Sequence, residues 1–182
     1  MVQDINSLDR EFHRQFDEEA QMDVIMKRGS DAIIYGIEYY TIFGDTIRTN
    51  RYTKYRKAPT LSLVAFNIET CLKGIIMAIS GIELWNEWKA KQKHSLCKLF
   101  HSLPDSYMQK GYVKFADAGY EKKSVDSLLE QSAYAYTQFR YYYQNEGDAD
   151  ISKDVEKFLK LFWNIAYDLS LDAQLEYREM NV

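Results

Sequence analysis

Two prolines and eight glycines in 182 residues leave this chain few places to turn. Sheet folds need frequent turns, and turns draw on those two residues, so the scarcity argues for long helices joined by few loops. The expected class is all-α. A chain of this length normally makes one domain and buries a real core. The hydrophobic share of 46% and the charged share of 27% are globular values and exclude wholesale disorder. Fifteen tyrosines raise the aromatic share to 15%. Such rings fill helical cores, and exposed tyrosines favour interfaces; Tyr134, Tyr136, Tyr141, Tyr142 and Trp163 are too many for one small core and predict a homodimer through helix faces.

Periodicity places the helices. Ile5, Leu8, Phe12 and Phe16 fall at helical steps with charges between them. Gly29 and Ser30 read as punctuation, with Ser30 capping a second helix through Ile34, Ile37 and Phe43. Residues 45–59 read as a loop closed by Pro59, a first-turn residue for the next helix. That helix, about 60–82, carries the clearest seam: Leu61, Ala65, Ile68, Leu72, Ile75 and Ile79 alternate steps of four and three. Gly81 ends it. A helix near 92–103 aligns Leu96, Leu99, Phe100 and Leu103, and Pro104 opens another through Tyr107, Tyr112 and Phe115. Ser124 is a candidate cap for a helix running from Val125 through Leu128, Leu129, Tyr136 and Phe139 to Tyr143, with Asp126 suited to the positive end of its dipole. Ser152 caps a last helix with Val155, Phe158, Phe162, Ile165 and Leu169 inward.

Cys71 and Cys97 make no disulfide framework, no leader-like segment opens the chain, and no run of about 18 apolar residues is seen. These features predict a cytoplasmic protein with no membrane partner. Charge is distributed unevenly. Acids such as Asp17, Glu18, Glu19 and Asp23 crowd the first 45 residues. Over 46–68 there is no acid, while Arg48, Arg51, Lys54, Arg56 and Lys57 supply cations with Tyr52 and Tyr55 among them. Cations interleaved with aromatics suit a single-stranded nucleic-acid groove, and a solvated loop is the competing reading. The acidic stretch 17–23 is an alternative target for those cations.

No glycine-rich phosphate loop, nucleophile elbow or kinase motif occurs. His94, Cys97 and His101 share one helical stripe, but a fourth zinc ligand is missing, so neither a metal nor a cofactor is expected. Trp85 and Trp88 beside Lys89, Lys91 and Lys93 could stack a base, although such a pair more often anchors a helix end.

Three segments in order resemble the HEPN family of helical domains. Residues 65–74 (AFNIETCLKG) are similar to its long second helix, with a polar Asn/Glu and a Lys. Residues 94–100 (HSLCKLF) are similar to its H-D-L-x-x-L segment. Residues 139–144 (FRYYYQ) are similar to the F-R-Y-x-Y-E of some members. The match covers about 80 residues of the middle and later chain and leaves the first 50 uncovered. It implies an up-and-down bundle of about five to seven helices, commonly a homodimer. Domain organisation is then a single unit over 1–182: acidic helices over 1–45, a basic loop over 46–59 and a HEPN-like bundle over 60–182. Many members are metal-independent ribonucleases of toxin–antitoxin and phage-defence systems, with four to six residues between an arginine and the histidine that follows it. Here no arginine precedes His13, His94 or His101 at that spacing, and Asn145, Glu146 and Gly147 stand where a histidine would follow Arg140. Metal-free RNA cleavage needs a group that moves a proton near neutral pH.

The resulting expectation is a module that binds nucleic acid, a nucleotide or a partner protein, without ribonuclease activity. Its ligand set is Glu69, Lys73, His94 and Arg140, brought together if the family packing holds, with Arg48, Arg51, Lys54, Arg56 and Lys57 for RNA. Two alternatives stand beside it: a ribonuclease toxin using His94 and Arg140 as catalytic residues, and a structural dimeric accessory protein. The same four residues also admit a plainer reading, a buried network that fixes helix register.

Overall fold

The computed structural model describes residues 5–49, 54–81, 94–136 and 152–181, with side chains at 18, 20–44, 59–81, 94–136 and 152–181. Six helices and no strand occur among the described residues: α1 (Ile5–Thr49), α2 (Lys54–Ser80), α3 (Leu96–His101), α4 (Asp105–Asp117), α5 (Lys122–Gln131) and α6 (Lys153–Met180). This is an all-α helical bundle. Three long helices form a trunk. α1 runs antiparallel to α2, with Gly29 beside Gly74 and Ala78, and Gly36 beside Cys71. It also runs antiparallel to α6, where Tyr40 bonds Asn164 and Ser30 bonds Gln174. The short helices α3, α4 and α5 cover the remaining face of α2 and α6.

The seam of α2 is buried as its spacing predicts, except at its last member, Ile79, which is only partly buried. Leu61, Ala65, Ile68, Leu72 and Ile75 are at most 1% exposed. On α6, Val155, Phe158, Phe162, Ile165 and Leu169 are likewise buried. Phe100, Phe115, Phe158 and Phe162 pack as one aromatic knot joining α3, α4 and α6. The stretch Pro59–Ser80 is long and apolar enough to cross a membrane by length and composition, with a mean hydropathy of 1.5. Here 72% of it is buried within the bundle, as a core helix would be.

Several boundaries differ from the sequence reading. Gly29 and Ser30 do not break a helix, because α1 continues through them. A Cβ at Gly29 would sit 2.2 Å from the Ala78 nitrogen, so the glycine serves a close helix crossing. Ser30 Oγ donates to Gln174 Oε1 (3.2 Å) and caps nothing. The expected loop over 45–59 is mostly helical, with only 50–53 between α1 and α2. Pro59 is therefore the sixth residue of α2, where it omits the bond its N–H would have given the Tyr55 carbonyl. α5 begins at Lys122, which makes Ser124 its third residue, and it ends at Gln131, well before Tyr143. Other features agree. Pro104 occupies the N-cap of α4, and Ser152 Oγ accepts from Val155 N at the start of α6. Gly81, at φ +63°, closes α2 with its N–H on the Met77 carbonyl.

Candidate ligand site

Phe66, Glu69 and Lys73 follow one another on α2 at steps of three and four, so they share a face. That face meets the start of the α3 segment. There Ser95 caps α3 by accepting from Lys98 N, and its buried backbone fixes where His94 enters. His94 Nδ1 lies 2.8 Å from Glu69 Oε1 across 25 positions of chain. Lys73 Nζ donates to the same oxygen at 2.6 Å. Exposure rises outward: the side chain of Glu69 is 5% exposed, Lys73 16% and His94 43%. Glu69 Oε2 is buried and has no hydrogen-bond partner among the described residues.

The protonation pattern follows from the partners. An ionised carboxylate offers only acceptors, so the imidazole places a proton on Nδ1. In the neutral ring the lone pair is then on Nε2. Beside this triad runs a row of rings that the sequence reading did not place at the site. Tyr136 lies 5.3 Å from Phe66 and 6.3 Å from His94, centroid to centroid. Ser62 Oγ ties to the Tyr136 carbonyl (3.3 Å) and holds this return of the chain against α2. Phe66 had a legible signal, since it stands three residues before Glu69. Tyr136 had none, because its approach depends on how the chain comes back after α5.

Of the expected ligand set, Glu69, Lys73 and His94 come together. Arg140 lies outside the described residues, as do Arg51, Trp85, Trp88, Lys89, Lys91, Lys93, Tyr141 and Tyr142. The other expected nucleic-acid contacts lie at the α1–α2 turn: Arg48 in the last turn of α1, and Lys54, Arg56 and Lys57 in the first turn of α2.

A second polar cluster links α3, α4 and α5. Tyr112 O–H donates to Asp126 Oδ1 (2.6 Å), and His101 Nε2 reaches the same phenol at 3.1 Å. His101 Nδ1 turns back to the Cys97 carbonyl of its own helix at 2.9 Å. Burial, reinforced by the Asp126 bond, pushes the Tyr112 phenol well above its usual range. Partial burial and the acids Glu130 and Asp126 also raise the Cys97 thiol. A raised thiol holds its proton and is a poor nucleophile or metal ligand. Among the described residues, no group of three or more His, Cys, Asp or Glu side chains could hold a metal. His94 and His101, placed on one stripe by the sequence reading, hold different partners.

Remaining buried polar groups tie the trunk. Asn67 accepts from Trp163 Nε1 (2.6 Å) and donates to the Gly36 carbonyl (3.1 Å), so one amide joins all three long helices. Trp163 is 1% exposed and fits wholly inside. No family model, no curated protein and no solved structure matches this chain.

Proposed function

We propose that the protein is a HEPN-like helical module that binds nucleic acid or a nucleotide at Glu69, Lys73 and His94, without ribonuclease activity. One observation supports this most. Two of the three segments behind the family resemblance, on α2 and at the start of α3, meet through their polar residues at a single buried oxygen. A half-open histidine and a lysine beside a row of aromatic rings offer donors for phosphate and faces for a base. Arg140 and the cations Arg48, Arg51, Lys54, Arg56 and Lys57 would add phosphate contacts. A role as the accessory member of a toxin–antitoxin or phage-defence pair, acting as a homodimer in the cytoplasm, belongs to the same proposal. The dimer has its own support in the exposed Val24, Tyr35 and Ile42, which recur on one stripe of α1. The rival reading, a clamp fixing α3 on α2, is favoured by the burial of Glu69.

Incubating the purified protein with total RNA in the presence of chelator tests the proposal. Retention of intact RNA that weakens steeply with added salt is the expected result. Chelator-resistant cleavage that disappears in His94→Ala would instead establish the ribonuclease alternative. Light scattering at tens of micromolar checks the assembly, and a monomer mass would remove the dimer from the proposal.

A further inference from the structure

We infer that α1 pairs antiparallel with α1 of a second copy of this chain, about a two-fold axis at the level of Ile33. This rests on the homodimer named in the proposal above and is independent of what the ligand site binds.

One outward seam of α1 carries the inference. Val24, Arg28, Asp31, Tyr35, Glu38 and Ile42 alternate steps of four and three, the spacing of a helix-pairing seam. All six are exposed, while Gly29, Ser30, Ile33, Gly36 and Tyr40 of the same helix are buried. Val24, Tyr35 and Ile42 are 49%, 52% and 68% exposed, too open for side chains that serve the core of one copy. Among the described residues, no ion pair involves Arg28, Asp31 or Glu38.

The order of the six is its own complement. With the axis at Ile33, positions equally far before and after that residue meet across the pair. Val24 then meets Ile42 of the second copy, Arg28 meets Glu38, and Asp31 meets Tyr35. Symmetry makes each contact twice. Opposite charges face one another, the Tyr35 hydroxyl can donate to the Asp31 carboxylate, and apolar side chains close both ends. Other arrangements lose the match. A parallel pair in register sets Arg28 against Arg28, Asp31 against Asp31 and Glu38 against Glu38. Sliding the antiparallel pair by one heptad either way sets Ile42 against an acid, Asp17 or Asp31. Charges inside such a seam lower its stability and fix its register. The seam is about 27 Å long and one helix wide, so the interface is small and the dimer reversible.

Charge reversal in the full chain tests the pairing, read by sedimentation equilibrium at fixed salt. Arg28→Glu alone sets an acid against Glu38 twice, and Glu38→Arg alone sets a cation against Arg28 twice. Each should weaken the dimer at least about tenfold with an unchanged circular-dichroism spectrum. Mixing the two variants should restore association as a heterodimer, because an acid then meets an arginine at both contacts. A parent dimer that neither reversal weakens would overturn the inference and leave the homodimer reading intact. So would two weakened variants that fail to associate when mixed. A parent that stays monomeric at tens of micromolar would overturn both. A second route avoids the charges. In a Cys97→Ser background, Val24→Cys combined with Ile42→Cys should form intermolecular disulfides on mild oxidation faster than either change alone. Equal rates in all three would also overturn the register.

Discussion

Asn67 and Glu69 stand two residues apart on α2, and both are buried, yet their polar atoms are treated differently. Asn67 has a donor for its oxygen and an acceptor for its nitrogen, each from a different long helix. Glu69 has two donors crowded on Oε1 and none on Oε2 among the described residues. A buried group whose bonds are all made inside the trunk serves the fold. A buried charge left partly unmatched, at the root of a chain of contacts leading to solvent, is a poor device for stability alone. The contrast separates a structural node from a candidate site along one turn of helix.

The comparison makes graded predictions. Asn67→Leu should destabilise most, by about 3 kcal/mol, because it orphans the Trp163 N–H and removes a donor from the Gly36 carbonyl. Chemical denaturation measures this, and a cost below about 1 kcal/mol would remove the node from the trunk. Next comes the alkaline limit. Burial raises the Cys71 thiol from 9.0 to about 11, with the neighbouring Ser170 hydroxyl partly opposing. The native state therefore holds a proton that the unfolded chain releases first. The associated stability is complete below about pH 9 and is lost as pH rises towards 11. Tyr39, raised to about 12 mainly by burial, acts in the same direction from a higher starting point. Melting temperatures between pH 8 and 11 should fall less steeply in Cys71→Ala than in the parent. Glu69→Gln should change stability by no more than about 1 kcal/mol, since the amide keeps the volume and Lys73, whose side chain is 16% exposed, can turn its charge to solvent. A loss matching that of Asn67→Leu would make Glu69 a structural node too. His94→Ala should be smallest, within about 0.5 kcal/mol, as expected for a half-open side chain.

The fold was legible where side-chain spacing alone decides it. Leu61, Ala65, Ile68, Leu72 and Ile75 had to face one way in any helix, and the core is on that side. Legibility failed where one residue type serves two purposes. Gly29 looks the same in sequence whether it ends a helix or admits a neighbouring backbone, and only the presence of Ala78 opposite decides between them. The candidate site was half legible. Glu69 and Lys73 are a local pair, visible from a four-residue step. Their meeting with His94 was inferred from resemblance, and Tyr136 depended on a chain return that no local pattern encodes. Asn67 was the least legible, since its meaning lies in Trp163, 96 positions away.

The glycine crossing also bears on the order in which the molecule assembles. Gly29 meets Gly74, and Gly36 meets Cys71, across modest stretches of chain. The ties from α1 to α6 span 144 positions at Ser30–Gln174 and 124 at Tyr40–Asn164. Closing a short loop forfeits less entropy than closing a long one, and the amino-terminal half leaves the ribosome first. The α1–α2 hairpin is thus expected to zip early, with α6 docking last into the groove it prepares. Stopped-flow refolding distinguishes the steps: Gly36→Ala, whose Cβ would lie 2.6 Å from the Cys71 sulfur, should slow folding, whereas Ser30→Ala should chiefly hasten unfolding. The reverse pattern would place α6 in the nucleus.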